Sequence, residues 1–156
     1  MPGRDTRPHS RNLRVGRRSI PGCAYLVTTA THRRLPLLQK FQQACLVCRA
    51  IDHVSRMSDT QTLCYVVMPD HLHWLIQLGE QHGLSTTVSM MKNLSSRWLG
   101  GQIWQAGFHD RALREADDIR GMARYVVANP LRAGLVKQLG DYPFWNAIWL
   151  DGREIF

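Results

Sequence analysis

Two residues, Pro69 and Asp70, are all that separate two β-forming runs, and this short link constrains the fold more than any other feature. On one side, Thr62–Met68 is rich in β-branched and aromatic residues. On the other, His71–Leu78 alternates cleanly and puts Leu72, Trp74, Ile76 and Leu78 on one face. A two-residue link reverses the chain and pairs the runs as an antiparallel hairpin. A parallel pair would need a crossover of about a dozen residues.

Other elements group around that hairpin. Cys23–Thr31, after Pro21–Gly22, reads as an earlier strand carrying Tyr25, Val27, Thr28 and Thr29. From Leu38 to about Met57, apolar residues at 41, 44, 45, 48, 51 and 54 recur with helical period. A second helix follows Gly83, with Ser85 as its expected N-cap and Leu84, Val88, Met91, Ser95 and Trp98 as its inward stripe. Gly100–Gly101 ends it, and residues 103–114 read as short and extended. Residues 116–129 form a third helix with a stripe of Ile119, Met122, Ala123, Val126 and Val127, stopped by Asn129–Pro130. The aromatic tail of Tyr142, Phe144, Trp145 and Trp149 receives no element. The order β-α-β-β-α-β-α predicts an α+β fold, a ferredoxin-like antiparallel sheet with packed helices. With 156 residues, one domain over 21–156 is expected.

Residues 1–20 read as a basic, flexible arm. Arg4, Arg7, Arg11, Arg14, Arg17 and Arg18 crowd into it, within a chain of formal net charge +8. The first four are spaced three and four apart, so they would share one face if a partner made the arm helical. Arginine forks match phosphate oxygens in pairs, which points to a polyanionic partner. No apolar run approaches the roughly 20 residues of a membrane span, and the charged N-terminus is no secretory signal. No membrane is expected as a partner, and the expected location is the cytoplasm. The four cysteines, including the Cys45 and Cys48 pair inside a helical stretch, read as small buried residues.

His71-Leu72-His73 is the sharpest local feature. Residues two apart on a strand share a face, so both imidazoles project together, about 7 Å apart at the backbone, while Leu72 enters the core. Such a pair can converge on one divalent ion, though an isolated H-x-H is also a common solvated face. The third helix offers companions: Tyr125 and Asn129 lie one turn apart on an edge beside the apolar stripe. A phenol can attack phosphorus where a metal polarises the scissile phosphate.

These pieces have a family resemblance. Val67-Met68-Pro69-Asp70-His71-Leu72-His73-Trp74, then Trp104-Gln105, then Tyr125-Val-Val-Ala-Asn129-Pro130-Leu-Arg132-Ala-Gly134-Leu-Val keep the order and spacing of the single-tyrosine HUH transposases. More narrowly, they resemble the REP-associated tyrosine transposases of bacteria, over about residues 25–143. The resemblance implies a Mg²⁺- or Mn²⁺-dependent strand transferase acting on single-stranded DNA beside palindromic hairpins. It matches His71 and His73 to metal ligands and Tyr125 to the nucleophile that forms a 5′-phosphotyrosyl link and frees a 3′-OH. Asn129 occupies the position of a third polar ligand, where some relatives carry Gln. Lys92, Arg97, Arg111, Arg114, Arg124 and Arg132 lie on the same elements as candidate phosphate contacts. A covalent link conserves the bond energy, so no nucleotide cofactor is expected, and the chain has no P-loop pattern. A monomer is expected over a dimer. The alternative reading keeps the fold as a non-catalytic hairpin-binding regulator.

Overall fold

The computed structural model describes residues 19–114 and 117–149. The six arginines of the arm, Arg4 to Arg18, lie outside the described residues. The chain runs β1 (Ala24–Ala30), α1 (Phe41–Met57), β2 (Gln61–Met68), β3 (His71–Gln77), α2 (Leu84–Leu99), β4 (His109–Ala112), α3 (Ile119–Val127), α4 (Asn129–Arg132) and β5 (Trp145–Ala147). The five strands form one antiparallel sheet in the order β4-β1-β3-β2-β5. The hairpin forms as its link demands, with Met68 opposite His71 and Val66 opposite His73.

Alternation along the strands sorts side chains onto two cores. Val27, Leu72, Trp74 and Ile76 pack against Ala44, Val47 and Ile51 of α1 and Val88 and Met91 of α2. Cys64, Val66 and Leu75 point the other way, onto Ala123, Val126 and Val127 of α3. Trp74 is fully buried, and its indole N–H donates to Thr62 Oγ1 at 3.0 Å. Trp104 follows the same rule, its indole donating to the buried Ser95 Oγ at 2.9 Å. A buried indole N–H left unpaired would destabilise the fold.

The structure differs from the sequence expectations in four places. The aromatic tail supplies a fifth strand, β5, which pairs Ala147 with Cys64 and Trp145 with Val66 along an edge of β2 that would otherwise stay unpaired. Three residues are too few to show a period, so the pattern gave no signal there. Helix α2 is capped at Gly83, and the N–H of Leu84 is satisfied by Ser19 Oγ at 3.0 Å, a partner distant in sequence. Trp98 does not join the inward stripe; it is 40% exposed and meets the His53 ring edge-on. Finally, α3 begins at Ile119 and ends at Val127, and Pro130 heads a new turn, α4, where a missing N–H is tolerated.

All four cysteines are free thiols, but only Cys64 is buried as expected; Cys23, Cys45 and Cys48 are half-buried because they pack at the margin of the core. Burial pushes Cys48 up to about 11 and Cys64 up to about 12, which suits inert packing residues. Among the described residues, no helix is long and apolar enough to cross a membrane.

Ser95→Ala should leave the Trp104 indole N–H buried without a partner. The expected cost is about 1–3 kcal/mol, and each kcal/mol lowers Tm by about 2–4 °C in a chain of this size. A thermal melt of the variant checks this; an unchanged Tm would contradict it.

Candidate functional site

The burial of Leu72, Trp74 and Ile76 on the α1/α2 side forces His71 and His73 onto the α3 side of the sheet. Their rings lie 4.8 Å apart between centroids and nearly perpendicular. Each has its Nδ1 engaged: His71 Nδ1 lies 2.6 Å from Asp70 Oδ1, and His73 Nδ1 lies 3.0 Å from Thr28 Oγ1. A carboxylate beside Nδ1 holds the proton there and leaves Nε2 as the lone-pair nitrogen, the form a metal takes. Burial, then the neighbouring His71, Arg132 and Arg34, push His73 down to about 4, so its ring is neutral near pH 7. With both Nδ1 atoms engaged, the two Nε2 atoms are left as candidate donors to a divalent ion. Among the described residues no cluster of three or more His, Cys, Asp or Glu forms.

Asp70 is itself held. Arg34 Nε lies 3.3 Å from Asp70 Oδ2, and the Asp70 carbonyl accepts from the Thr31 N–H at 3.0 Å. Arg33 and Arg34 sit at φ 52 and 57, a left-handed conformation that costs non-glycine residues about 1–3 kcal/mol. The strained turn brings Arg34 back onto Asp70. Sequence reading missed Thr28, which reaches His73 through the β1–β3 register, and Arg34, which reaches Asp70 through the turn after β1. Asp70, adjacent to His71, was the one readable signal.

The nucleophile candidate is set apart by exposure. Of the four tyrosines, three are occupied or buried. Tyr25 OH accepts from the Ile20 N–H, Tyr142 OH donates to the Val67 carbonyl at 2.6 Å, and Tyr65 is half-buried and engaged with Cys48, with its phenol pushed far up. Tyr125 is 62% exposed on α3. The Arg132 guanidinium stacks on its ring, 3.8 Å from the centroid. Because the Arg132 charge also acts on His73, one cation neighbours both the phenol and the imidazole pair.

Asn129 does not continue the helix of Tyr125; it opens α4 after the break at Ala128. In a continuous helix the Val126 carbonyl would accept from residue 130, but Pro130 has no N–H. Asn129 Nδ2 donates to that carbonyl instead, at 2.9 Å. Its Oδ1 has no protein partner among the described residues.

The remaining basic candidates fall in different places. Thr28 pairs with both His73 and His109, so His109 faces the same side as the histidine pair, and Arg111 does so two residues on. Arg97 lines a cleft beside α2, while Arg114 and Arg124 are exposed. Lys92 donates to the carbonyls of Gln105 and Gly107, and burial pulls its ammonium down to about 8. Its cation is part of a wall between α2 and the following segment.

Residues 19–126 match the family described as Transposase IS200 like. A REP-associated tyrosine transposase of Escherichia coli K12 is 30% identical over 125 residues, 79% of this chain and 74% of that protein. A solved REP-associated tyrosine transposase, bound to a REP hairpin, superposes with a TM-score of 0.70 at 31% identity, covering 81% of this chain and 78% of that one. A solved chain from Deinococcus radiodurans, 19% identical with a TM-score of 0.52 over 72% of this chain and 84% of its own, shares the fold alone.

The Asp70 contact makes a spectroscopic prediction. In the metal-free protein, ¹⁵N shifts of His71 should report a protonated Nδ1 and a bare Nε2. Asp70→Ala should mix the two tautomers. A protonated Nε2 in the wild-type chain would contradict the assignment.

Proposed function

The chain belongs to the IS200-like transposase family, as one of its REP-associated tyrosine transposases, and from that premise we propose that it cleaves and rejoins single-stranded DNA beside a hairpin through Tyr125. The observation that carries this reading is the placement of Arg132 against both the Tyr125 ring and the charge environment of His73. The relative solved on a REP hairpin supports hairpin DNA as the partner.

In the cleavage step the Tyr125 oxygen bonds to the scissile phosphorus, and the bond from phosphorus to the 3′ oxygen breaks. The phenolic proton leaves to solvent and the departing 3′ oxygen takes one up, giving a 5′-phosphotyrosine and a free 3′-OH. Attack by a 3′-OH on that link reverses the exchange and restores Tyr125, so the reaction is transfer and needs no nucleotide cofactor. His71 and His73, with Asn129 through Oδ1, would hold Mg²⁺ or Mn²⁺, which when bound supplies charge stabilisation to the phosphate. Arg132 offsets phosphate charge beside the phenol, Thr28 and Asp70 keep the imidazoles oriented, and Arg111 extends the basic face along β4. The arginines of the arm add phosphate contacts.

The test is incubation with labelled hairpin DNA and Mn²⁺, followed by denaturing electrophoresis. The wild-type chain should form a denaturant-resistant adduct. Tyr125→Phe should abolish it while hairpin affinity stays within a few-fold. His71→Ala or His73→Ala should remove both the adduct and the response to metal. Hairpin binding by the wild-type chain without adduct would favour the regulator instead, and cut DNA without adduct a water-using phosphodiesterase.

Asn129→Ala separates two roles. Loss of the Nδ2 bond should lower stability by about 1 kcal/mol. Loss of Oδ1 should raise the Mn²⁺ midpoint of cleavage, with high metal partly restoring the rate. A lowered Tm with an unshifted midpoint would remove Asn129 from the metal set.

A further inference from the structure

We propose that His109 gives a proton to the departing 3′ oxygen in cleavage and takes it back in rejoining; this rests on the reading that Tyr125 attacks a phosphodiester held beside the histidine pair. The position of the nucleophile decides where the leaving oxygen goes. Helix α3, which carries Tyr125, packs against β2 and β5, and α4 with Arg132 packs against β2. The phenol therefore belongs to the β2 side of the pair. Displacement at phosphorus runs in line, with the attacking and leaving oxygens on opposite sides of the phosphorus. Attack from over β2 sends the leaving oxygen out over β1 and β4, the other side of β3 in the sheet order.

One register line crosses that half of the sheet, from His73 to Thr28 and on to His109, and all three side chains share its face. His109 stands two interstrand spacings from His73, about 10 Å at the backbone. Three groups face His109 on this side: the Thr28 hydroxyl, the His73 ring and Arg111, two residues along β4. Thr28 Oγ1 is engaged by His73 Nδ1 at 3.0 Å, and a guanidinium does not give up its proton. Asp110 points to the opposite face, and β4 is the edge of the sheet. His109 is exposed, and its ring has no hydrogen bond or ion pair among the described residues. Imidazole changes charge in the neutral range, so one ring can act as acid and then as base.

In cleavage the imidazolium proton passes to the 3′ oxygen as its bond to phosphorus breaks. A neutral 3′-OH leaves in place of an alkoxide, and the ring becomes neutral. In rejoining, that ring takes the proton of the attacking 3′-OH as the new oxygen–phosphorus bond forms and the Tyr125 oxygen departs. Each full exchange returns His109 to its imidazolium form.

The experiment uses the full chain, Mn²⁺ in excess and two hairpin DNAs. One has the ordinary 3′ oxygen at the bond that the wild-type chain cuts, and the other has a bridging sulfur in its place. A thiolate, of lower pKa, leaves without a proton. His109→Gln should slow adduct formation on the oxygen substrate by about 100-fold, the usual contribution of one general acid. On the sulfur substrate the variant and the wild-type chain should react within a few-fold of each other. Hairpin affinity within a few-fold of wild type checks that the variant is folded. With the oxygen substrate, the wild-type rate should fall on the alkaline side of its pH profile as the imidazolium is lost, and the variant should lack that fall. Equal slowing on both substrates, no slowing on either, or an alkaline fall kept by the variant would overturn the proposal. Absence of adduct from the wild-type chain on both substrates would instead sink the functional reading, and the proton role with it.

Discussion

The side of β3 that is buried decides which way the histidine pair faces. Leu72, Trp74 and Ile76 are fully buried between the sheet and helices α1 and α2. A slip of one residue in the β2–β3 register would exchange the faces, bury both histidines and expose Trp74. Burying three such side chains favours the observed register by several kcal/mol, at roughly 1.5–3 kcal/mol each. The Trp74 bond to Thr62 ties the same register to β2. The imidazoles therefore face α3 because of residues that lie outside the proposed site.

The second condition is the break between α3 and α4. Without Pro130 the helix would run on, and Asn129 would have no reason to bond the Val126 carbonyl. With it, α4 starts a new turn and Arg132 comes back over the Tyr125 ring. A sequence element that reads as a stop signal thus sets the positions of a phenol, an amide and a guanidinium together. The strained Arg33–Arg34 turn does comparable work on the other flank, holding Asp70 against His71.

Local pattern made much of this legible. The two-residue link fixed the hairpin, alternation fixed the face of His71 and His73, and helical period placed α1, α2 and α3 to within a few residues. What stayed hidden depends on contacts distant in sequence. Ser19 on the N-terminus of α2, β5 on the edge of β2, and Thr28 on His73 each join segments that carry no period of their own. Lys92 shows the same limit in the site: its charge reads as a phosphate contact, yet its ammonium is engaged by two carbonyls brought over by the following segment.

Tyr125 is proposed as the residue that bonds to DNA, since it alone among the four tyrosines is exposed. Mapping the adduct by mass tests this most directly. Trypsin cuts after Arg124 and Arg132, which releases Tyr125–Arg132 with a single tyrosine. After reaction with hairpin DNA and Mn²⁺ and digestion of the DNA, that peptide should carry the added nucleotide mass. The same mass on the peptide holding Tyr65 or Tyr142, or on none, would contradict the account.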